Sequence, residues 1–200
     1  MLFDAVVSEM KIDILEDRGN VLRFTLKEST NMYANAIRRA AGGLVPTFAI
    51  DSITFYENSS AIFDEYISHR IGLVPLTTPL KGYTDTDEIL FTLEATGPKT
   101  VYSKSLESSD KEVKVANPDI PIIKLAEEQR IRVEAKARMG IGLKHAKFRP
   151  GLVTYEQKDD DTFEFYVESF GQMPPRQIIN KAFDVIEEQL QELSSKVKKL

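Results

Sequence analysis

No cysteine occurs among the 200 residues, which excludes disulfides, thiolate metal sites, iron–sulfur clusters and a thiol nucleophile. Histidine is nearly as scarce, with His69 and His145 the two present. Glu65 and His69 are four apart and would share a helix face, but that supplies two ligands at best, and no HExxH pattern supports a metal reading. A packed or capping histidine accounts for both better. There is no G-x-S-x-G elbow and no serine plainly paired with a histidine. "GIGLKH" (140–145) has a lysine among glycines but lacks the Walker spacing and the hydroxyl residue after the lysine. Uninterrupted apolar runs are missing too. Charges break every hydrophobic stretch well before the ~20 residues a membrane span needs, and "MLFDAVVSEM" lacks the basic flank and apolar run of a signal peptide. The expectation is a soluble, cytoplasmic protein with no cofactor.

What is present suffices for a core. A hydrophobic content of 42% with 28% charged residues fits one large domain or two small ones. From Val6 to Lys27, two stretches of near-alternating polarity meet at "EDRGN", where Gly19 and Asn20 tolerate the backbone of a tight hairpin turn. "STNMYANAIRRAAGG" (29–43) predicts a helix, with Ser29 or Thr30 as N-cap and Gly42-Gly43 as terminator. Met32, Tyr33, Ala36, Ile37 and Ala40 recur at helical spacing and are expected to face inward. "AIDSITFYEN" predicts a strand, and "AIFDEYISHRIG" a short helix ended by Gly72 and Pro75. "EILFTLEATG" and "RIRVEAKARM" are the clearest central strands. Between them Lys99 to Pro121, rich in Ser, Asp and Pro, reads as a long, partly ordered connection. The acidic runs "DTDE" (85–88) and "DDD" (159–161) sit in turn contexts, where aspartate is favoured for local hydrogen bonding. "LVTYEQ" and "TFEFYVESF" flank "KDDD" as a second hairpin.

The last segment is the most periodic. After Pro174-Pro175, apolar residues fall at Ile179, Phe183, Ile186, Leu190, Leu193, Val197 and Leu200, in alternating steps of four and three. Such a helix could run ~40 Å at 1.5 Å per residue, longer than a small domain's own core. It either lies along its own sheet or packs its far half on another chain. The hairpin-then-helix order occurs at both ends of the sequence, a hint that the ends belong together.

The formal net charge is −5, yet Arg130, Arg132, Lys136, Arg138, Lys144, Lys147 and Arg149 face the single acid Glu134 across 130–149. This segment could contact phosphates as a stand-alone nucleic-acid-binding surface, dock an acidic protein, or be a strand face balanced by acids from elsewhere. In the first helix Asn35 precedes Arg38 and Arg39 by three and four residues, so one or both arginines share its face. Cations near a helix C-terminus are favoured by its dipole, which explains one arginine better than the pair. Arginine's fork of donors suits carboxylates or carbonyls of another chain.

Three strings in order, "MYANAIRRAAGGLVPTFAIDSITFYEN" (32–58), "HRIGLVPLTTP" (69–79) and "KHAKFRPG" (144–151), resemble the hallmark segments of the α-like subunits of RNA polymerase. This family comprises the larger of the archaeal α-like subunits, the bacterial α N-terminal domain and the third-largest subunit of eukaryotic polymerase II, and the archaeal form is the one this chain resembles. The resemblance covers nearly the whole chain. It implies an α+β fold with a discontinuous dimerisation domain, 1–46 and 151–200, and an inserted, mainly β domain, 47–150. It implies that the final helix, through Ile179, Phe183, Ile186, Leu190, Leu193 and Val197, packs with the first helix on a smaller α-like partner, subunit L. Asn35, Arg38, Arg39, Arg70, Lys144, His145 and Arg149 would meet the large β-like subunit, with further small subunits also docking. No active site, nucleic-acid contact or membrane contact of its own is expected, since nucleotide addition belongs to other subunits and no "DFDGD" string is present. Relatives often carry cysteines after the second string or in an extra cluster domain; here "TTPLKGYTDTDE" leads directly to the next strand, so neither zinc nor an iron–sulfur cluster is expected. A bacterial-type C-terminal DNA-binding domain is likewise not expected.

Overall fold

The computed structural model describes residues 10–199; Val6 to Glu9 of the expected first hairpin, and Leu200 of the expected seam, lie outside them. In chain order the elements are β1 (Lys11–Arg18), β2 (Val21–Lys27), α1 (Asn31–Gly43), β3 (Pro46–Asn58), α2 (Asp64–Gly72), β4 (Glu88–Thr96), β5 (Lys99–Tyr102), β6 (Glu107–Ser108), β7 (Pro121–Leu125), β8 (Arg130–Ile141), β9 (Gly151–Asp159), β10 (Thr162–Ser169) and α3 (Pro175–Val197). The fold class is α+β, as expected. The chain forms two compact units, one of Met1–Val45, Gly151–Ser169 and Pro174–Leu200, the other of Pro46–Pro150 with Phe170–Met173.

The first unit is a four-stranded antiparallel sheet in the order β1-β2-β10-β9. Gly19, at φ +57°, starts the two-residue turn between Arg18 and Val21, a conformation glycine adopts without steric cost. Period-two alternation puts Leu22, Phe24 and Leu26 on one face of β2, and the register sets them opposite Val167, Phe165 and Phe163 of β10. All six are buried, and the Phe24 and Phe165 rings stack at 4.8 Å. Burying side chains of this size is worth roughly 1.5–3 kcal/mol each as an upper bound, so these two strands hold the centre of the unit. Ala34, Ile37, Ala40 and Ala41 of α1 and Ile178, Ile179 and Ala182 of α3 complete this core. The small alanines let the two helices approach closely.

For α1 the N-cap falls at one of the two residues expected, and two other expectations, which residues face inward and how the helix ends, are corrected. Met32, Tyr33 and Ala36 are exposed rather than inward, because the buried stripe runs through Ala34, Ile37, Ala40 and Ala41. Helical spacing defines a stripe's period, but which apolar residues are buried depends on where the sheet lies. Thr30 is the N-cap but makes no side-chain cap bond, and Gly42 and Gly43 are inside the helix, whose C-cap is Leu44 in the right-handed region.

In the second unit β3, β8, β4 and β6 form an antiparallel sheet in that order, and β5 pairs with β7. The pairs Ile89↔Ala137, Phe91↔Ala135 and Leu93↔Val133 align one face of β4 and β8. Phe48 and Ile50 of β3 and Ile67 and Ile71 of α2 join the same core. The stretch from Lys99 to Pro121 is more ordered than the partly ordered connection expected. It contains β5, a 3-10 turn at Ser103–Ser105 and β6, and it buries Val101, Leu106 and Val113. Its polar side chains supply the bonds that order it: Ser103 Oγ donates to Asn117 O at 2.6 Å and accepts from Ile120 N at 3.2 Å, so the hydroxyl replaces regular ladder bonds.

Candidate protein-docking surfaces

Helix α3 changes character along its length. Pro175, Ile178, Ile179 and Ala182 are buried by their own chain, Phe183 and Ile186 are half-buried, and Leu190, Leu193 and Val197 are 61%, 59% and 58% exposed. The six expected interface residues therefore divide. Ile179 is enclosed within its own unit and has almost no surface to offer a partner, whereas the last three form an uncovered apolar stripe. Nothing in the backbone distinguishes the two halves; the helix outlasts the sheet beneath it. At 23 residues it is about 34 Å long at 1.5 Å per residue.

A second uncovered apolar surface has no signature in the sequence. Ile12 and Ile14 lie opposite Leu26 and Phe24, on the core face of the sheet, yet are 48% and 47% exposed; Leu15, at a bulge, is 53% exposed. Alternation identifies their face, but only the strand order, with β1 at the edge, shows that the cover stops short of them. With Met32 and Tyr33 of α1, the first unit carries far more exposed large apolar surface than scattered single residues would give.

On the polar side of α1, Arg38 donates from Nε and Nη2 to Asn35 Oδ1, at 3.2 and 2.7 Å. The pair inferred from spacing thus forms within the helix and holds the Arg38 guanidinium in place. Arg39 is exposed, and among the described residues no carboxylate forms an ion pair with it.

In the second unit the structure separates the remaining candidates. Arg70 is engaged by its own chain: Nε donates to Ile122 O at 2.8 Å and Nη2 donates to Pro121 O, tying α2 to β7. Its fork of donors is used on carbonyls of its own unit, while the residue itself is exposed. Lys144, His145 and Arg149 are exposed on the segment following β8. His145 caps the 3-10 turn at Ala146–Phe148, its Nδ1 accepting from Lys147 N at 3.1 Å, so a neutral imidazole carries its proton on Nε2. This segment is fixed by two further contacts. Gly140 lies flat against the Phe148 ring, where an added Cβ would come within 2.7 Å of Cζ. Lys147 Nζ pairs with Asp51 at 2.7 Å, while Arg138 pairs with the other carboxylate oxygen. The hydrogen bond from Lys147 outweighs partial burial and holds the Asp51 carboxyl below the usual carboxylate range. His69 and His145, 76 positions apart, line one shallow hollow of about 220 Å³ with Ile53, Leu73 and Lys147.

The basic segment is largely balanced by acids the sequence could not place. Lys136 pairs with Glu88 at 3.2 Å, Arg138 and Lys147 share Asp51, and Arg132 stands opposite Glu57 and Glu94 in register and over the Tyr56 ring. Of the readings open for it, a strand face balanced by neighbouring acids accounts for Arg132, Lys136 and Arg138; Arg130, Lys144 and Arg149 remain exposed. Among the described residues no three histidine, aspartate or glutamate side chains are grouped so as to hold a metal ion, and no helix is long and apolar enough to cross a membrane.

Residues 50–154 match the family model of the RNA polymerase Rpb3/RpoA insert domain. The chain is similar to DNA-directed RNA polymerase subunit Rpo3 of Pyrococcus furiosus, 46% identical over 153 residues that cover 74% of this chain and 59% of the relative. It is also similar to the Rpo3 subunit of Methanocaldococcus jannaschii, 45% identical with 84% and 85% covered, and to that of Halobacterium salinarum, 33% identical with 94% and 98% covered. The chain thus spans about three-fifths of the length of the Pyrococcus relative and nearly all of the Halobacterium one.

Proposed function

The chain belongs to the Rpo3 family of DNA-directed RNA polymerase subunits, and from that premise we propose that it is a non-catalytic platform on which the polymerase is assembled. The observation that carries this reading is the uncovered stripe of Leu190, Leu193 and Val197 on a helix whose first half is anchored in its own core. An apolar stripe displayed on a fixed rod is costly in water and is resolved by burial against another chain. The occupant in this reading is the smaller α-like subunit L, forming a heterodimer to which the exposed faces of α1 and α3 and the uncovered face of β1 contribute. Arg39, with Asn35 and Arg38 beside it, and Lys144, His145 and Arg149 then receive the large β-like subunit. Nucleotide addition takes place on other subunits, in the cytoplasm.

Sedimentation of the purified chain tests the first part. Alone it is expected to self-associate or precipitate, and to become a defined heterodimer when the small partner is added; a well-behaved monomer with its final helix fully protected from hydrogen exchange would remove the basis of the proposal. The division of labour is tested by charge reversal. Arg39→Glu and Arg149→Glu should weaken docking of the large subunit and leave the heterodimer intact, and loss of the heterodimer itself would contradict the assignment. The stand-alone nucleic-acid reading predicts binding by the isolated chain with a steep salt dependence; the pairing of Lys136 and Arg138 with local acids supports the assembly reading instead.

A further inference from the structure

Beyond Ile186 the chain's last segment stands free. Positions 187 to 199 are all exposed, while Ile186 is half-buried. The seam through Ile186, Leu190, Leu193 and Val197 is bordered by Glu187, Gln189, Ser194 and Lys196, one acid, one cation and two uncharged side chains.

The charges along this length are sorted by end. Asp184, Glu187, Glu188 and Glu192 precede Lys196, Lys198 and Lys199. The helix dipole accounts for cations in the last turn, but not for acids gathered midway along the helix. Part of this charge is already matched within the helix. Asp184 pairs with Lys181 at 3.0 Å and Glu192 with Lys196, and Glu187 accepts from Gln191 Nε2 at 3.0 Å. Among the described residues, Glu187, Glu188, Lys198 and Lys199 form no ion pair. Two acids are thus left at one end of the exposed length and two lysines at the other.

Such a rod is complementary to itself turned end for end. When two copies lie antiparallel with Leu190 of each level with Leu193 of the other, Ile186 comes level with Val197. Lys198 and Lys199 then come level with positions 185 and 184, within about one turn of Glu187 and Glu188. Parallel alignment would set acids beside acids and lysines beside lysines. The overlap, 184 to 199, lies wholly beyond the buried Ile178, Ile179 and Ala182, so neither copy opens its own core to pair. Each copy offers the same patch, so the contact is two-fold symmetric and closes at two chains. Four apolar side chains per copy make a small interface, and the pair is correspondingly weak and reversible.

We propose that, until its small partner arrives, the chain pairs with a second copy of itself through an antiparallel contact between the exposed halves of α3. The homodimer and the heterodimer use one stripe and exclude each other, so self-pairing sets how much of the chain is open to the partner. The inference rests on the platform reading only for which chain displaces the second copy.

Sedimentation equilibrium of the free chain over a range of concentrations tests it. A monomer–dimer equilibrium is expected. Lys198→Glu plus Lys199→Glu should weaken the dimer at least about fivefold, and so should Glu187→Lys plus Glu188→Lys. An equal mixture of the two variants should pair as the wild type does. All four positions are exposed, so both variants should melt with the wild type. A free chain that stays monomeric, open-ended association, a dimer that either reversal leaves unchanged, or a mixture no tighter than its components would overturn the inference. Added small subunit should convert the wild-type homodimer into a one-to-one heterodimer, and a stable species holding both contacts at once would also overturn it. If the heterodimer forms but the charge reversals leave self-association unchanged, this inference fails while the platform reading stands. If the reversals act as expected but no heterodimer forms, the platform reading loses its partner and the self-pairing stands.

Discussion

Substitutions along α3 should have opposite consequences in its two halves. Fully burying a leucine side chain is worth about 1.5–3 kcal/mol. Leu190 and Leu193 keep about three-fifths of their surface in water, so roughly 1–2 kcal/mol per leucine is still to be gained on docking. The double variant Leu190→Ala plus Leu193→Ala should therefore weaken the heterodimer by about 2–4 kcal/mol, roughly 30- to 1,000-fold in dissociation constant. In the free chain the same change removes little packing and places a better helix former at exposed positions, so its stability should stay within about 0.5 kcal/mol of wild type. Ile178→Ala is the counterpart. Ile178 is fully buried in its own unit, and its truncation should cost about 2–5 kcal/mol of stability, a fall of roughly 5–15 °C in melting temperature for a chain of this size. Thermal melts by circular dichroism read the stability, and calorimetric titration with the purified small subunit reads the affinity. A Leu190/Leu193 variant that melts as early as Ile178→Ala would mean the stripe is packed on its own chain. One that binds with unchanged affinity would remove the stripe from the interface. Either result refutes the reasoning.

Three further outcomes concern the second unit. The folded-state pKa of Asp51 is depressed by Lys147, so the stability it contributes is present above the ordinary aspartate value of about 4 and lost as pH falls through the folded value; Asp51→Asn should lower the urea midpoint at neutral pH, by an amount that shrinks as pH is taken progressively below about 4, and a constant loss across that range would show that packing, not charge, is responsible. Gly140→Ala should destabilise by about 1–3 kcal/mol, because a Cβ there meets the face of the buried Phe148 ring; unchanged melting with unchanged exchange at 145–149 would refute the contact. Arg70→Ala should cost about 1–3 kcal/mol of stability by leaving the Ile122 carbonyl without its donor, and a loss of large-subunit affinity without a loss of stability would assign Arg70 to the docking surface instead.

Much of the secondary structure is legible in the sequence because it follows from local pattern. The alternation of "VLRFTLK" and "TFEFYVES", the turn at Gly19-Asn20 and the four-three spacing after Pro175 each specify an element without reference to the rest of the chain. The departures share a cause. In α1 the apolar residues are more numerous than one buried face can hold, so spacing alone cannot exclude Met32, Tyr33 and Ala36. The stretch from Lys99 to Pro121 reads as only partly ordered because composition does not reveal what its side chains bond: Ser103 Oγ donates to Asn117 O and accepts from Ile120 N, and Asp110 Oδ1 accepts from Glu112 N, Val113 N and the Tyr83 hydroxyl. For the candidate site, the seam residues are identifiable from periodicity, and the Asn35–Arg38 pair from helix geometry. The pairing of the basic segment with Glu88 and Asp51, and the use of Arg70 on β7 carbonyls, require the strand register.

The sequence by itself determined which residues are apolar, at what period they recur and where the chain must turn, and through its three long motifs it determined the family. These are properties of neighbours along the chain. The tertiary structure alone decided how much of each apolar stripe is covered, because coverage depends on where the sheet ends beneath α3 and which strand lies at its edge. It likewise decided which cations are already neutralised, since Arg138, Lys147 and Arg70 meet partners between 51 and 96 positions away.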